Sequence, residues 1–160
     1  MSRYYLGLDS STQSLSAIVI DAESGQLVYE KSLNYSSELP DYGVTDGFLP
    51  NATPSVVHAP PLMWVEALDQ LLTQMKADHV PMNEIVAVTG SAQQHGSVYV
   101  TAGFDELLKN CNPQTPLHKQ LQTCFTRNTS PIWMDSSTTE QCAAMAKALG
   151  GDTKVNQITG

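Results

Sequence analysis

The sequence is short of positive charge and lacks the best-known short motifs of nucleotide-binding sites. Its 160 residues include 8 Lys and Arg against 16 Asp and Glu, which gives a formal net charge of -8. Because Lys and Arg make most protein contacts to phosphate backbones, this balance argues against binding to nucleic acids or anionic membranes. Neither GxxxxGKS/T nor GxGxxG occurs, which argues against a P-loop and a Rossmann dinucleotide site. A phosphate site in this chain must therefore depend on backbone amides, hydroxyls and a bridging metal ion.

Cysteines and long apolar runs are also scarce. Cys111, Cys124 and Cys142 are odd in number and lack CxxC spacing, which argues against a disulfide framework and a zinc site. No apolar run approaches the roughly 20 residues of a membrane helix. The start of the chain, MSRYYLGLDSS, has too short an apolar core for a secretory signal. We therefore expect a soluble, cytoplasmic protein with reduced thiols.

The first half of the chain contains strand-like and helical patterns. Three apolar runs, separated by polar breaks, predict strands at residues 4–8, 15–20 and 27–33, with a hairpin loop at 21–25. Frequent Pro and Gly between residues 40 and 61 predict a long loop. A helix follows and ends before Pro81, with one apolar face formed by Val65, Leu68, Leu72 and Met75.

The second half of the chain alternates between clear and weak patterns. The continuously apolar run at residues 85–90 predicts a strand covered on both sides, and SVYV at 97–100 predicts a second strand. Residues 103–129 have weak patterning, so we expect a loosely structured insertion or a short helix. SPIWM at 130–134 is typical of another strand. This order of elements predicts an α/β fold.

A final helix is predicted from a start pattern, an apolar face and a stop. Residues 137–140 have the S-x-x-E form of a capping box, in which a hydroxyl and a carboxylate satisfy reciprocal backbone donors. Cys142, Met145 and Leu149 share a face of this helix, and Gly150 is a plausible C-terminal stop. The chain then ends abruptly at ITG, as though cut from something longer.

The segment DSSTQ, residues 9–13, is the first candidate for chemistry. A carboxylate at a strand end lies at the margin of a sheet, and the following turn can direct amides and the hydroxyls of Ser10, Ser11 and Thr12 outward. Such a turn suits phosphate oxygens, and Asp9 would then hold Mg²⁺ directly or through water. The alternative is an ordinary Asx or Ser/Thr turn between two hairpin strands, and spacing alone favours it.

Two further segments carry polar side chains beyond predicted strands. In VTGSAQQHGSVYV, Gln93, Gln94 and His95 suit a polyhydroxylated ligand, because amide and imidazole groups donate and accept hydrogen bonds in fixed directions. The alternative is a capped turn with an exposed His. In WMDSST, Trp133 can wall a sugar site and Asp135 can accept a hydrogen bond from a sugar hydroxyl. The alternative makes Trp133 a core residue and Asp135 a helix cap. The spacing of His58, His79 and His118 favours surface or loop positions for all three.

Taken together, six segments resemble the FGGY carbohydrate kinases, and in particular their xylulose kinase branch: YYLGLDSSTQSLSAIVID, ELPDYGVTDGFL, LMWVEALDQLL, VTGSAQQHGSVYV, IWMDSSTTEQC and ITG. The resemblance implies two ribonuclease H-like (actin-like) domains, each a mixed sheet flanked by helices, with ATP and sugar meeting in the cleft between them. Residues 1–160 would form the N-terminal part of the first domain. The implied reaction is phosphorylation of D-xylulose with ATP and Mg²⁺.

The resemblance also assigns roles to residues and leaves some roles without a residue. Asp9 would be the catalytic, Mg²⁺-associated acid, the turn from Ser10 through Ser11 and Thr12 to Gln13 would approach the ATP phosphates, and Gln94 and His95 would contact the ketose. In these kinases the general base and a substrate-binding Arg lie in later segments, so we expect the chain alone to turn over little. The open alternatives are a kinase for another ketose or polyol and a noncatalytic module with an actin-like half-domain.

Overall fold

The computed structural model describes residues 3–160 and is built around a four-stranded mixed sheet. The strands are β1 (Tyr4–Ser10), β2 (Ser14–Asp21), β3 (Leu27–Asn34), β4 (His58–Ala59), β5 (Ile85–Ala92) and β6 (Ser130–Pro131). The helices are α1 (Tyr35–Glu38), α2 (Pro61–Ala77), α3 (Phe104–Lys109), α4 (Leu117–Gln120), α5 (Thr139–Ala148) and α6 (Asp152–Thr159), with short 3-10 helices at Pro40–Tyr42 and Met82–Glu84. The sheet has the order β3-β2-β1-β5, and β4 pairs separately with β6. Among residues 3–160, no helix is both long enough and apolar enough to cross a membrane.

The three N-terminal strands confirm the prediction from the apolar runs. β1, β2 and β3 form an antiparallel meander, whereas β5 lies parallel to β1. Alternate residues of β2, namely Leu15, Ala17 and Val19, are buried because side chains of a strand point to its two faces in turn. The predicted hairpin loop joins β2 to β3. Its Asp21 carboxylate accepts hydrogen bonds from the backbone N–H groups of Ser24 and Glu23, which lower the pKa of Asp21.

Helix α2 covers one face of the meander, chiefly over β2 and β3. Its fully buried side chains recur at every fourth residue: Met63, Ala67, Leu71 and Met75. The predicted apolar face is therefore only partly right. Of its members only Met75 is fully buried, and Val65, Leu68 and Leu72 lie on the flank of the contact. The buried row includes Ala67, which the predicted face left out.

Strand β5 exists as predicted, but the expectation that it is covered on both sides is wrong. Val86 is 48% exposed and Val88 is 62% exposed. β5 lies at the edge of the sheet, paired with β1 on one side only. The helix that covers the meander does not shield it. The predicted strand at 97–100 is also wrong, because within it only Val100 forms a bridge, to Phe125.

The region after β5 is built mostly from turns and short helices. α3 and α4 confirm the expected loosely structured insertion at 103–129. The strand predicted at 130–134 is shorter than expected, because only Ser130–Pro131 pairs with β4. The residues that follow turn away, with Asp135 N–H donating to the carbonyl of Ile132 at 2.9 Å.

For helix α5, the predicted start is wrong and the predicted stop is confirmed. The predicted capping box at 137–140 is absent: α5 begins after Thr138, whose side chain makes no capping bond. The hydroxyl of Ser137 instead donates to the Asp135 carboxylate at 2.6 Å. Gly150 does stop α5, since it adopts a φ of 97° and its N–H donates to the carbonyl of Lys147. The shared apolar face of α5 is exposed, with Met145 at 65%.

Candidate functional site

Two of the predicted segments meet at one end of the sheet, where the carboxyl ends of the parallel strands β1 and β5 lie side by side. β1 and β5 are parallel, so the turn after β1 (residues 11–13) and the turn after β5 (residues 93–96) leave the sheet at the same edge. Asp9 lies opposite Ser91 in the register, and the Ser91 hydroxyl donates to the Asp9 carboxylate. Asp9 itself is exposed. The fold therefore places a solvent-facing carboxylate between two polar turns.

The three hydroxyls after Asp9 are all engaged within the protein. Ser10 Oγ lies 3.0 Å from the hydroxyl of Tyr35, and Ser11 Oγ donates to the carbonyl of Ser14 at 3.2 Å. Thr12 Oγ1 accepts a hydrogen bond from the indole of Trp133 at 3.0 Å. These contacts hold the turn in shape, and they leave the hydroxyls less free for a ligand than the sequence suggested.

The backbone of the same turn offers free donors. Within residues 3–160, the N–H groups of Thr12 and Gln13 donate no hydrogen bond to the protein. Adjacent unpaired N–H groups in a turn attract anions, because each carries a partial positive charge. The turn can therefore bind an anion through its main chain, next to the carboxylate of Asp9.

Tyr35 supports this turn from inside the protein. Its side chain is fully buried, and its N–H donates to the carbonyl of Gln13 at 2.9 Å. Burial raises the pKa of Tyr35 to about 12, the nearby Asp9 charge adds to the rise, and the hydrogen bond from Ser10 opposes it. The phenol therefore stays neutral and remains a hydrogen-bond partner for Ser10 at physiological pH.

A second support for the turn comes from the loop between β3 and β4. Thr45 and Phe48 pair across a tight turn whose central residues, Asp46 and Gly47, have φ values of 54° and 87°. Asp-Gly is a preferred pair for such a turn, because both central residues take positive φ. A Cβ on Gly47 would lie 1.8 Å from the carbonyl oxygen of Thr12. Only glycine permits this close approach of the two loops.

The turn after β5 carries the second predicted segment. Gln93 Nε2 donates to the carbonyl of Ser11 at 3.3 Å, which ties the turn after β5 to the turn after β1. Gln94 and His95 are exposed, and His95 adopts a φ of 61°. A positive φ is uncommon for a residue other than glycine and is found more often at functional sites. His95 thus stands free at the same edge of the sheet as Asp9.

The third predicted segment reaches this edge through Trp133. The side chain is 55% exposed, so the alternative of a core Trp is wrong. Its indole N–H bonds to Thr12, which places the ring beside the turn that follows Asp9. The structure therefore gathers residues from all three segments: Asp9, Thr12, Gln93 and Trp133 are linked by neighbouring contacts.

Asp135 faces the protein instead of the solvent. Its side chain is only 7% exposed. One carboxylate oxygen accepts from the N–H of Val57 at 2.9 Å and lies 3.3 Å from His58 Nε2, and the other accepts from the N–H and hydroxyl of Ser137. Burial raises the pKa of Asp135, but the hydrogen bonds from Ser137 and Val57 and the neighbouring His58 outweigh it, so that the pKa falls below its usual value. The carboxylate thus joins two loops, and it precedes α5 without capping it.

Sequence reasoning missed two partly buried histidines. His58 lies in β4 and His118 in α4, with side chains that are 17% and 16% exposed, so the expectation of surface or loop positions is wrong for both. His58 lies between Asp135 and Thr129, whose hydroxyl is 2.9 Å from Nδ1. His118 pairs with Asp69 at 2.8 Å, away from the turns. These pairings join residues far apart in the chain, so no spacing pattern in the sequence predicts them.

Within the described residues, no group of three or more His, Cys, Asp or Glu side chains could hold a metal ion. Mg²⁺ commonly binds proteins through one or two carboxylates and takes its remaining ligands from waters and substrate phosphates. Asp9 supplies such a carboxylate at an exposed position. The donor set therefore fits Mg²⁺ carried by a nucleotide and does not fit a metal held by the protein alone.

Comparisons with known proteins identify the relatives of this chain. It is 41% identical to xylulose kinase of Mus musculus over 158 residues, which cover 99% of this chain and 28% of the relative. It is 40% identical to xylulose kinase 2 of Arabidopsis thaliana over 157 residues, or 98% of this chain and 28% of the relative. No family model matches the chain. The chain thus spans less than a third of the length of the curated relatives that it matches.

Solved structures agree on the fold. A ligand-bound xylulose kinase from Lactobacillus acidophilus superimposes with a TM-score of 0.63 over 97% of this chain and 24% of its own, at 15% sequence identity. At this identity the match concerns the fold alone. The predicted fold, an actin-like mixed sheet flanked by helices, is confirmed. The resemblance is confirmed too, since the similarity to xylulose kinases extends over 98–99% of this chain.

Proposed function

We propose that this homologue of xylulose kinases is the N-terminal part of an ATP-dependent kinase that converts D-xylulose to D-xylulose 5-phosphate. The observation that supports it best is the meeting of three segments at one edge of the sheet. There an exposed Asp9 and the unpaired amides of the next turn lie near the exposed turn of Gln94 and His95. An anion site beside a site for a hydroxylated ligand is the arrangement that phosphoryl transfer to a sugar requires.

The nucleotide side of the site is formed by β1 and the turn after it. The N–H groups of Thr12 and Gln13 would bind phosphate oxygens, while Ser10 and Ser11 hold the backbone of the turn in place. Asp9 would hold Mg²⁺, directly or through water. When bound, Mg²⁺ neutralises charge on the phosphates and so lowers the barrier to their transfer. The pairing with Ser91 orients the Asp9 carboxylate for this task.

The sugar side is formed by the turn after β5 and by the segment of Trp133. Gln94 and His95 would bond to sugar hydroxyls, and the exposed ring of Trp133 would form a wall against the apolar face of the sugar. Asp135 would act at the sugar site through the loop that carries Trp133, because its own oxygens are bonded to Val57 and Ser137. The residues thus divide into those that contact the sugar and one that shapes the site.

The 160-residue chain should turn over little by itself. Phosphoryl transfer depends on the alignment of both substrates and a base, and the resemblance assigns the base and a substrate-binding Arg to later segments. A coupled assay of ADP release tests this expectation on the purified chain. Substantial turnover that depends on D-xylulose would contradict it.

Asp9→Asn in the complete protein that contains this chain tests the nucleotide side. The change keeps the size of the side chain and removes its charge, so kcat should fall strongly while the affinity for the sugar changes little. Asp21→Asn is the matched control. Asp21 is also a carboxylate at the end of a strand, but it pairs with Tyr4 at the start of β1, far from the turn that follows Asp9. Near-normal kcat in Asp9→Asn would refute the proposed role of Asp9.

His95→Ala tests the sugar side. If His95 bonds to a sugar hydroxyl, its loss should weaken sugar binding by about 1 to 3 kcal/mol, which is the cost of leaving a polar partner unpaired. His79→Ala is the control, because His79 is also exposed with a φ of 61° but lies beyond the end of α2. A panel of D-xylulose, other ketoses, pentitols and glycerol then decides the substrate. Equal binding by both His variants would argue against a sugar site at this turn.

A further inference from the structure

We infer that His58 is a positioning residue that fixes Trp133 against the turn following Asp9. This inference rests on the proposed function, because it gives His58 a role in shaping the sugar site. Three links connect the imidazole to the turn: the contacts of His58 with Thr129 and Asp135, the backbone from these residues to Trp133, and the hydrogen bond from Trp133 to Thr12.

The first step is the contact of the His58 imidazole with both ends of one loop. His58 Nδ1 lies 2.9 Å from Thr129 Oγ1, and Nε2 lies 3.3 Å from Asp135 Oδ2. Thr129 precedes β6 and Asp135 follows it, so the imidazole contacts both ends of residues 129–135. We call these residues the tryptophan loop. Imidazole suits this role because its two nitrogens lie on different sides of a rigid ring.

The second step is the placement of Trp133 within the tryptophan loop. Its neighbour Ile132 is buried and its N–H donates to the carbonyl of Val57 at 3.1 Å, but the Trp133 ring itself is more than half exposed. Burial therefore does little to fix the ring. Its direction depends on the conformation of the loop and on the bond to Thr12.

The third step is the effect of removing the His58 imidazole. Without the imidazole, Asp135 keeps its bonds to Val57 and Ser137 and β6 keeps its pairing with β4, but Thr129 loses its side-chain partner at the first end of the tryptophan loop. Trp133 then samples more orientations, and the Thr12 contact weakens. The turn after β1 keeps the contacts of Ser10 and Ser11, and the sugar would pack on Trp133 while ATP would not, so the effect falls mainly on sugar binding.

Fluorescence of Trp133 tests the structural part on the 160-residue chain. The sequence contains 2 Trp residues, so Trp64→Phe leaves Trp133 as the only tryptophan, and excitation at the red edge of its absorption avoids the tyrosines. In this background, His58→Ala should lower the anisotropy of Trp133 and raise its quenching by iodide. His58→Asn should restore both in part, because its amide lies close to the position of Nδ1 and can bond to the Thr129 hydroxyl. This readout does not depend on any kinase activity.

His118→Ala is the matched control, since His118 is also partly buried and bonded to a carboxylate, with 16% exposure against 17% for His58. Both variants should lose stability in urea, but only His58→Ala should loosen Trp133. If Trp133 is equally ordered in both variants, or if both loosen it alike, the positioning role of His58 is overturned.

Kinetics of the complete protein test the functional part. His58→Ala should raise the KM for the ketose by about 2- to 10-fold, the range that one lost hydrogen bond corresponds to, with KM for ATP and kcat nearly unchanged. An equal loss in every kinetic parameter would overturn the inference. If the complete protein phosphorylates no ketose, the proposed function fails, whereas the fluorescence result still decides whether His58 orders Trp133.

Discussion

Gly47 offers the sharpest test of how the turn after β1 is held. In Gly47→Ala, the new Cβ would lie 1.8 Å from the carbonyl oxygen of Thr12 and 2.7 Å from the carbonyl carbon. Real Cβ atoms essentially never come within 3.0 Å of another heavy atom, so the oxygen distance must open from 1.8 to at least 3.0 Å. Both clashing atoms belong to the backbone, and no side-chain rotation can relieve the contact.

The expected cost has two parts. A left-handed backbone costs a residue with a Cβ roughly 1–2 kcal/mol. Forcing extra volume into a packed contact typically costs about 1–3 kcal/mol more. We therefore expect Gly47→Ala to lower the free energy of unfolding by about 2–5 kcal/mol.

Gly25→Ala separates the two parts. Gly25 has a φ of 70°, but a Cβ there meets nothing within 4 Å. It should therefore cost only the conformational part, about 1–2 kcal/mol. Urea unfolding of the 160-residue chain, followed by Trp fluorescence and circular dichroism, measures both variants against the parent sequence. If Gly47→Ala is no more destabilising than Gly25→Ala, the close approach of the two loops is wrong.

Three further predictions concern stability and use urea unfolding. Leu71→Ala should cost about 2–5 kcal/mol, because it opens a cavity under α2, whereas Met145→Ala on the exposed face of α5 should stay within about 0.5 kcal/mol; equal losses would contradict the assigned core. Tyr35→Phe should cost about 1 kcal/mol by leaving the Ser10 hydroxyl unpaired, and an unchanged midpoint would argue against that bond. Native contacts lower the pKa of Asp135 below its ordinary 3.8, so its charged form stabilises the protein above that pH and loses this effect as the pH falls through the native pKa. The free energies of the parent and Asp135→Asn should therefore converge in acid, and a gap that persists unchanged would refute the shift.

Local patterns predicted those elements whose formation depends on nearby residues. The meander follows from apolar runs separated by a hairpin loop, and Gly150 ends α5 as expected because only its own backbone conformation matters. The run at 85–90 shows the limit of such patterns. A continuous apolar stretch fits a buried strand and an exposed edge strand equally well, and only its neighbours in space decide between them.

The candidate site was predictable in its parts and not in its connections. Asp9 and His95 follow predicted strands, which is why the sequence singled them out. The bond between Trp133 and Thr12 and the pair of His58 with Asp135 join segments far apart in the chain. Such contacts depend on where the loops pack, and loops carry no periodic signal. The roles of these residues toward a ligand remain predictions.

The two edge strands of the central sheet, β3 and β5, differ in how readily a strand of another molecule could pair with them. β3 carries Glu30 and Lys31, whose charges discourage a foreign strand from adding to that border. β5 presents eight residues without a charge or a proline, along with uncovered valines. At high concentration, copies of this chain can therefore associate by pairing through the free edge of β5. Val88→Lys is the simplest change to prevent this association, because it places a charge on that strand.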